Sequence, residues 1–180
     1  MTGRARIIVG IDSGVSGAIT FLARLDGELR LAVFDMPVLK IQKGKTTRQA
    51  VDGPAVVDLL ERFRPAHAWL ERAQAMPPDL HGRRQGIGST ATYMEGYGLL
   101  RGILVALRVP HDLVHPATWK KALRVPREKD DARARASQLM PRFADKWNLK
   151  KHHGRAESAL IALYGETHMA PRVAPQDETS

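Results

Sequence analysis

Asp12, Glu71 and Glu157 each stand at the end of an apolar stretch: after "RIIVGI", after "AHAWL" and at the start of "ESALIALYG". A carboxylate at the end of a buried element is costly unless it is paired or holds a cation. Taken alone, Asp12 could cap its own turn, because Gly14 and Gly17 follow it and mark a tight bend. Glu71 poses the same question a second time. If its strand neighbours that of Asp12, two carboxylates lie side by side with no basic partner in either strand. One of them then keeps its proton unless a cation joins the pair. Glu157 falls in a first helical turn, where the helix dipole already favours an acid, yet Ala156, Ala159 and Leu160 turn that part of the helix toward a core. His153, four residues earlier, shares the face of Glu157 if the helix begins soon enough, with His152 as its competitor.

The chain has no cysteine, so ligation by oxygen selects a hard ion, Mg²⁺ or Mn²⁺. Two such ions about 4 Å apart are a known arrangement for in-line attack on phosphodiesters. In that scheme Asp12 bridges the ions and Glu71 and Glu157 take one each. His153 is a ligand or the group that activates the water. The plainer alternative is three unrelated acids in a basic protein, against which stands the repeated order of apolar element, then acid.

The elements that must position these groups follow from periodicity. "RIIVGID", "GAITFLAR" and "LRLAVFDMP" read as three strands joined by tight turns, the second turn at Asp26 and Gly27, and so form an antiparallel meander. "VLKIQKGKTTRQAV" is polar and basic and reads as a mobile loop. "DGPAVVDLLERF" carries helix-start signals at Asp52, Gly53 and Pro54 and apolar residues at helical spacing. "AHAWLE" and "HDLVH" are short strands on either side of the long helix "TATYMEGYGLLRGILVAL", for which Ser89 is the expected cap. Gly96, Gly98 and Gly102 weaken that helix unless another element packs very close. Tyr93 and Tyr97 could stack on nucleic-acid bases, but read rather as its core packing. "ATWKKAL", "EKDDARARASQLM" and "HGRAESALIALYGETH" complete the helices. Residues 1–168 are expected to form one α/β domain, a mixed five-stranded sheet flanked by helices, followed by a disordered tail over 169–180.

Composition bounds the function. The 180 residues are 43% hydrophobic, which fits a globular chain, and 28 Lys and Arg against 19 acids give a net charge of +9. Such a balance points to a polyanion partner, most often nucleic acid. The absence of cysteine excludes disulfides, thiolate zinc sites and cysteine nucleophiles, and fits a reducing cytoplasm. No stretch has the length of a membrane span, and the N-terminal apolar run is too short for a signal peptide.

Taken in order, these segments resemble the RuvC-type Holliday junction resolvases of the ribonuclease H-like superfamily, over nearly all of residues 6–166. "IIVGIDSGVSGAITF" is similar to their first motif, with Asp12 as the first acid, and "AWLERAQAMP" to their second, with Glu71. "YGLLRGILVAL" resembles their long central helix, which carries much of the dimer interface. "LVHPATWKKAL" matches their strand-Pro-helix segment, "REKDDARARA" a lysine-bearing stretch with Lys129, and "HGRAESALIALYG" the last motif, with Glu157 on the final acid. Gly154 stands where the family carries an Asp or a His, and His153 is one residue earlier. The longer, more basic loop "MPPDLHGRRQG" is closer to phage-type members.

The resemblance implies a ribonuclease H-like fold and a homodimer that nicks two opposing strands of a four-way DNA junction, in the cytoplasm of a bacterial or phage-infected cell. It also implies Mg²⁺ or Mn²⁺, two ions per site, at Asp12, Glu71, His153 and Glu157. Phosphate contacts would come from the bases around the site, Lys120 and Arg155 among them, and above all from Arg83, Arg84 and Lys129. Two alternatives stay open: a junction- or nucleic-acid-binding module on the same fold without catalysis, and a ribonuclease H-like nuclease acting on another nucleic acid. An ATP-binding protein of the actin, Hsp70 and sugar kinase type shares the first motif, but the chain is too short for its two halves and has no second phosphate loop.

Overall fold

The computed structural model describes residues 5–44, 46–74, 86–126 and 129–169. Of the tail expected over 169–180, residues 170–180 lie outside the described residues, as do Arg83 and Arg84. The apolar run 7–11 forms the centre of a five-stranded sheet, β1 (Ile7–Asp12). It pairs antiparallel with β2 (Ala18–Leu25), which pairs antiparallel with β3 (Glu28–Asp35). The β2–β3 turn places Asp26 and Gly27 at φ 51° and 81°, the left-handed pair that a tight hairpin demands. On the other side β1 pairs parallel with β6 (His67–Glu71), and β6 with β7 (His111–Val114), for an order β3-β2-β1-β6-β7. The mixed α/β sheet expected from the sequence is therefore present.

Segment 38–51 is no loop. It folds as a separate hairpin, β4 (Val38–Lys43) and β5 (Thr46–Val51), paired from Val38↔Val51 to Lys43↔Thr46.

Helices cover both faces of the large sheet. Val9, Ile11, Ala68 and Leu70 join Leu60 of α1 (Gly53–Phe63) and Leu100 and Leu104 of α2 (Ile87–Ala106) in one core. Leu22 on the other face packs with Trp119 of α3 (Pro116–Ala122), Ala136 of α4 (Lys129–Leu139) and Leu160 of α5 (His153–His168) in a second. Asp52 caps α1 by accepting from the Ala55 N–H at 3.2 Å. The cap expected at Ser89 lies elsewhere: Gly86 is the N-cap of α2, and Ser89 is already helical.

The apolar stripe expected on α5 is wider than a stripe. Every residue from Ser158 to Gly165 is buried, because the helix is sandwiched between the sheet and α4 with its following 3-10 turn (Pro141–Trp147). Two glycines allow that depth. A Cβ on Gly10 would collide with the α5 backbone at Ser158 and Ala162. A Cβ on Gly154 would lie 2.5 Å from the Ser16 carbonyl oxygen and 2.9 Å from Gly17 Cα, in the turn after Asp12. Of the α2 glycines, only Gly96 faces a neighbour, with Val51 3.0 Å from where its Cβ would be. Among the described residues nothing lies within 4 Å of where a Cβ would stand on Gly98 or Gly102. Among the described residues no helix is long and apolar enough to cross a membrane.

Candidate active site

Strand pleat and register bring the first two acids together. Gly10 pairs with Trp69 and Ile11 with Leu70, so Asp12 and Glu71 come next in adjacent parallel strands and share the α5 face. The chain turns away at once: the Gly17 N–H donates to Gly14 O at 2.8 Å. α5 crosses at this point, its first turn pressed on the turn through Gly154, and this brings Glu157 to the same place. The three carboxylates feel one another. Burial pushes Asp12 well above the usual carboxylate range, and the charges of Glu71 and Glu157 push it further. Burial, then Glu157, lifts Glu71 to about 7.

Two adjacent residues of α3 hold the other two acids. Trp119 Nε1 donates to Glu71 Oε1 at 2.8 Å, and Lys120 Nζ lies 2.8 Å from Glu157 Oε1. Lys120 also draws Asp12 and Glu71 back toward their charged forms. Pro116 starts α3, and the ring of His115 accepts from the Ala117 N–H at 3.3 Å to cap it.

The acids open into a cleft of about 1010 Å³. Asp12, Glu71, Glu157, Lys120 and His153 line it, together with Gly14 to Ser16. The other lining is Thr47, Arg48 and Gln49 of β5 and Gly88, Ser89, Thr92 and Tyr93 at the start of α2. Tyr93 is half-buried, and its hydroxyl oxygen accepts from Ser13 Oγ at 3.2 Å. It thus turns to the cleft, whereas Tyr97 packs in the core as expected. His152 is not part of the lining. Burial, and then the charges of Arg155 and Lys151, hold its ring below the ordinary histidine range.

Oxygen donors that stay partly protonated for want of a counter-charge fit a hard divalent cation. As placed, however, no group of three His, Asp or Glu side chains among the described residues converges closely enough to hold one ion, and Lys120 takes the position of counter-ion at Glu157. Of the expected DNA-contacting residues, Arg83 and Arg84 lie outside the described residues, and Lys129 opens α4. Arg155, expected among the phosphate-contacting bases, is instead engaged within the fold, holding Asp35 with two 2.6 Å bonds.

Trp119 and the β5 wall were not visible as site residues in the sequence. A fully buried indole needs an acceptor, and "ATWKK" directly follows a strand end, but which acid it would meet depends on how α3 docks.

No protein-family model matches the chain, and no curated protein matches it in sequence. Among solved structures, RuvC from Thermus thermophilus in complex with a Holliday junction substrate superposes with a TM-score of 0.54 at 15% identity, covering 88% of this chain and 91% of that one. RuvC from the same organism, in another structure, gives 0.50 at 14% identity, over 89% and 95%. The chain has the RuvC fold. A weaker likeness, at a TM-score of 0.47 and 18% identity, is to the yeast mitochondrial Holliday junction resolvase Ydc2. In this RuvC-like frame Gly154, where the resemblance would place a further ligand, has no room for a side chain, and His153 beside it is the residue that lines the cleft.

Proposed function

We propose that this protein is a divalent-metal-dependent endonuclease that resolves four-way DNA junctions by paired nicking, working as a homodimer. The observation that carries the reading is the trio Asp12, Glu71 and Glu157, gathered at strand ends with the first two held above their ordinary pKa. The RuvC-like fold and the net charge of +9 support it.

Asp12, Glu71 and Glu157 would hold the ions, with His153 as a fourth ligand or as the base next to the attacking water. When bound, divalent ions lower the pKa of a water nucleophile and stabilise the leaving 3′-oxygen. The chain's own groups do the remainder. Trp119 fixes one oxygen of Glu71, leaving the other free. Lys120 neutralises Glu157 in the absence of a cation and otherwise offers an ammonium to a phosphate. The turn Gly14–Gly17 keeps bulk away from Asp12, and Arg83, Arg84 and Lys129 supply phosphate contacts.

The homodimer is supported by the outward face of α2. Ile87 (90% exposed), Met94 and Val105 lie along one line with the unobstructed Gly98 and Gly102, a face that a second copy of the helix could approach closely. Twofold symmetry would set two such clefts against a substrate with twofold symmetry.

The test is a labelled four-way junction and a matched linear duplex, each incubated with and without Mg²⁺ or Mn²⁺, beside Asp12→Asn. Paired nicks in the junction alone, requiring metal and lost in the variant, are expected. Binding without cleavage under either metal would instead leave a junction-binding module, and equal cutting of the duplex a less selective nuclease.

A further inference from the structure

The β4–β5 hairpin leaves aliphatic side chains in water. On one face Leu39 pairs with Ala50 and Ile41 with Arg48; on the other Lys40 pairs with Gln49 and Gln42 with Thr47. Leu39 and Ile41 are 47% and 49% exposed, although an isolated two-stranded hairpin is marginal and gains most by burying its apolar face. The hairpin is fixed at its base instead: Val51 is buried against Gly96, and the Asp52 N–H donates to Pro37 O at 2.9 Å. Farther out, Arg48 Nη2 donates to Gly88 O at 3.3 Å, which ties the hairpin to the start of α2. Thr47, Arg48 and Gln49 line the same cleft as the acids.

Charge says what covers the apolar face. Residues 38–51 include Lys40, Lys43, Lys45 and Arg48 and no acid. A second copy would bring the same bases face to face, whereas nucleic acid offers phosphates for the bases and flat base faces for the aliphatics. Such faces are covered inside a duplex and become available where stacking is interrupted, at a branch. No Phe, Tyr or Trp stands between Glu71 and Tyr93; the aromatic rings among the residues lining the cleft are His153 and Tyr93, the latter tethered through its hydroxyl to Ser13, and the exposed aliphatics lie beyond that lining on the hairpin.

We propose that the β4–β5 hairpin opens the branch point: Leu39 and Ile41 lie against unstacked bases while Lys40 and Arg48 hold the flanking phosphates. Aliphatic wedges between base steps work this way in DNA-bending proteins, where they meet an unstacking cost of a few kcal/mol per step. The inference rests on the proposed junction-nuclease reading and adds the element that engages the branch.

The test uses the full chain carrying Leu39→Ser with Ile41→Ser, and two junctions: one fully paired, one with unpaired nucleotides built in at the branch. Cleavage of the paired junction is expected to fall by about tenfold or more, the scale of one lost wedge, while the pre-opened junction is cut at the wild-type rate. In an Asp12→Asn background, 2-aminopurine at the branch should brighten on binding, and the double substitution should remove that rise. Arg48→Ala should lower the salt slope of binding by about one phosphate contact. Wild-type cutting of the paired junction by the double variant overturns the proposal. So does equal loss on both junctions, which would make the hairpin a support for the site, and so does a shift from dimer to monomer in sedimentation, which would assign the face to a second copy. Failure of the unaltered protein to cut either junction would instead remove the function reading itself.

Discussion

On one side of the cleft α5 lies so close to β1 and the turn beyond it that no side chain fits between them at Gly10 or Gly154. On the other side the β4–β5 hairpin is tied to the start of α2 by the Arg48 guanidinium and leaves Leu39, Ile41 and Ile87 to solvent. The first wall holds the acids and is as deeply packed as the core. The second holds no acid and is tied down mainly at its base. A reaction centre needs groups fixed to fractions of an ångström, whereas a surface that receives a large, variable polyanion gains from adjustable contacts. The difference between the two walls of the cleft follows from how much apolar surface each buries.

Substitutions on the packed wall should therefore have the larger effects. Asp12→Asn removes one acid from the trio and should slow metal-dependent nicking by on the order of 10²–10³-fold, the cost of losing one electrostatic stabiliser, with junction binding by gel shift retained. Next comes the pH dependence of the metal-free protein. Glu71 titrates at about 7 in the fold against an ordinary 4.5. Between those values the folded state holds a proton that the unfolded chain has lost, so stability falls as pH rises from 4.5 to 7 and then levels off. The loss is roughly 2–3 kcal/mol, measurable by urea unfolding in chelator at pH 5 and pH 8. Glu71→Gln should remove that part of the profile, leaving the part due to buried Asp12, while removing nicking.

Gly154→Ala forces a methyl into the turn after Asp12 and should cost about 1–3 kcal/mol of stability. Rescue of activity by Gly154→Asp, as a supplied ligand, would break the account of that position. Trp119→Phe, which keeps the packing and removes only the donor to Glu71, should lower apparent Mg²⁺ affinity by about tenfold or more, read from the metal dependence of nicking. Smallest for the fold is Val105→Glu on the open face of α2, within about 0.5 kcal/mol of the unaltered monomer. Its effect should be on assembly, as loss of the dimer in sedimentation.

The packed wall was also the legible one. Ala156, Ala159 and Leu160 mark the buried side of α5, and the same apolar runs that define β1 and β6 end at the acids. The open wall was misread for a physical reason. In "VLKIQKGKTTRQAV" Leu39 and Ile41 alternate with Lys40 and Gln42, as a strand requires, and Gly44 at φ 60° makes the turn. Four bases without an acid suggested a loop, because alternation usually signals burial and here the apolar residues stay exposed. The contacts of Trp119 and Lys120 were out of reach for another reason. Which of two neighbouring residues on a seven-residue helix meets Glu71, and which Glu157, is decided by the docking of α3 and not by local pattern.

The close seating of α5 also bears on heredity. Any single-base change in a glycine codon that alters the residue without ending the chain adds a side chain, and at Gly10 and Gly154 even the smallest one meets backbone. Drift at these two codons is thus filtered before any effect on chemistry can be selected, while the codons for Leu39 and Ile41 can change without unseating the fold. A lineage carrying this protein can vary the open wall of the cleft far more readily than the wall seated under α5.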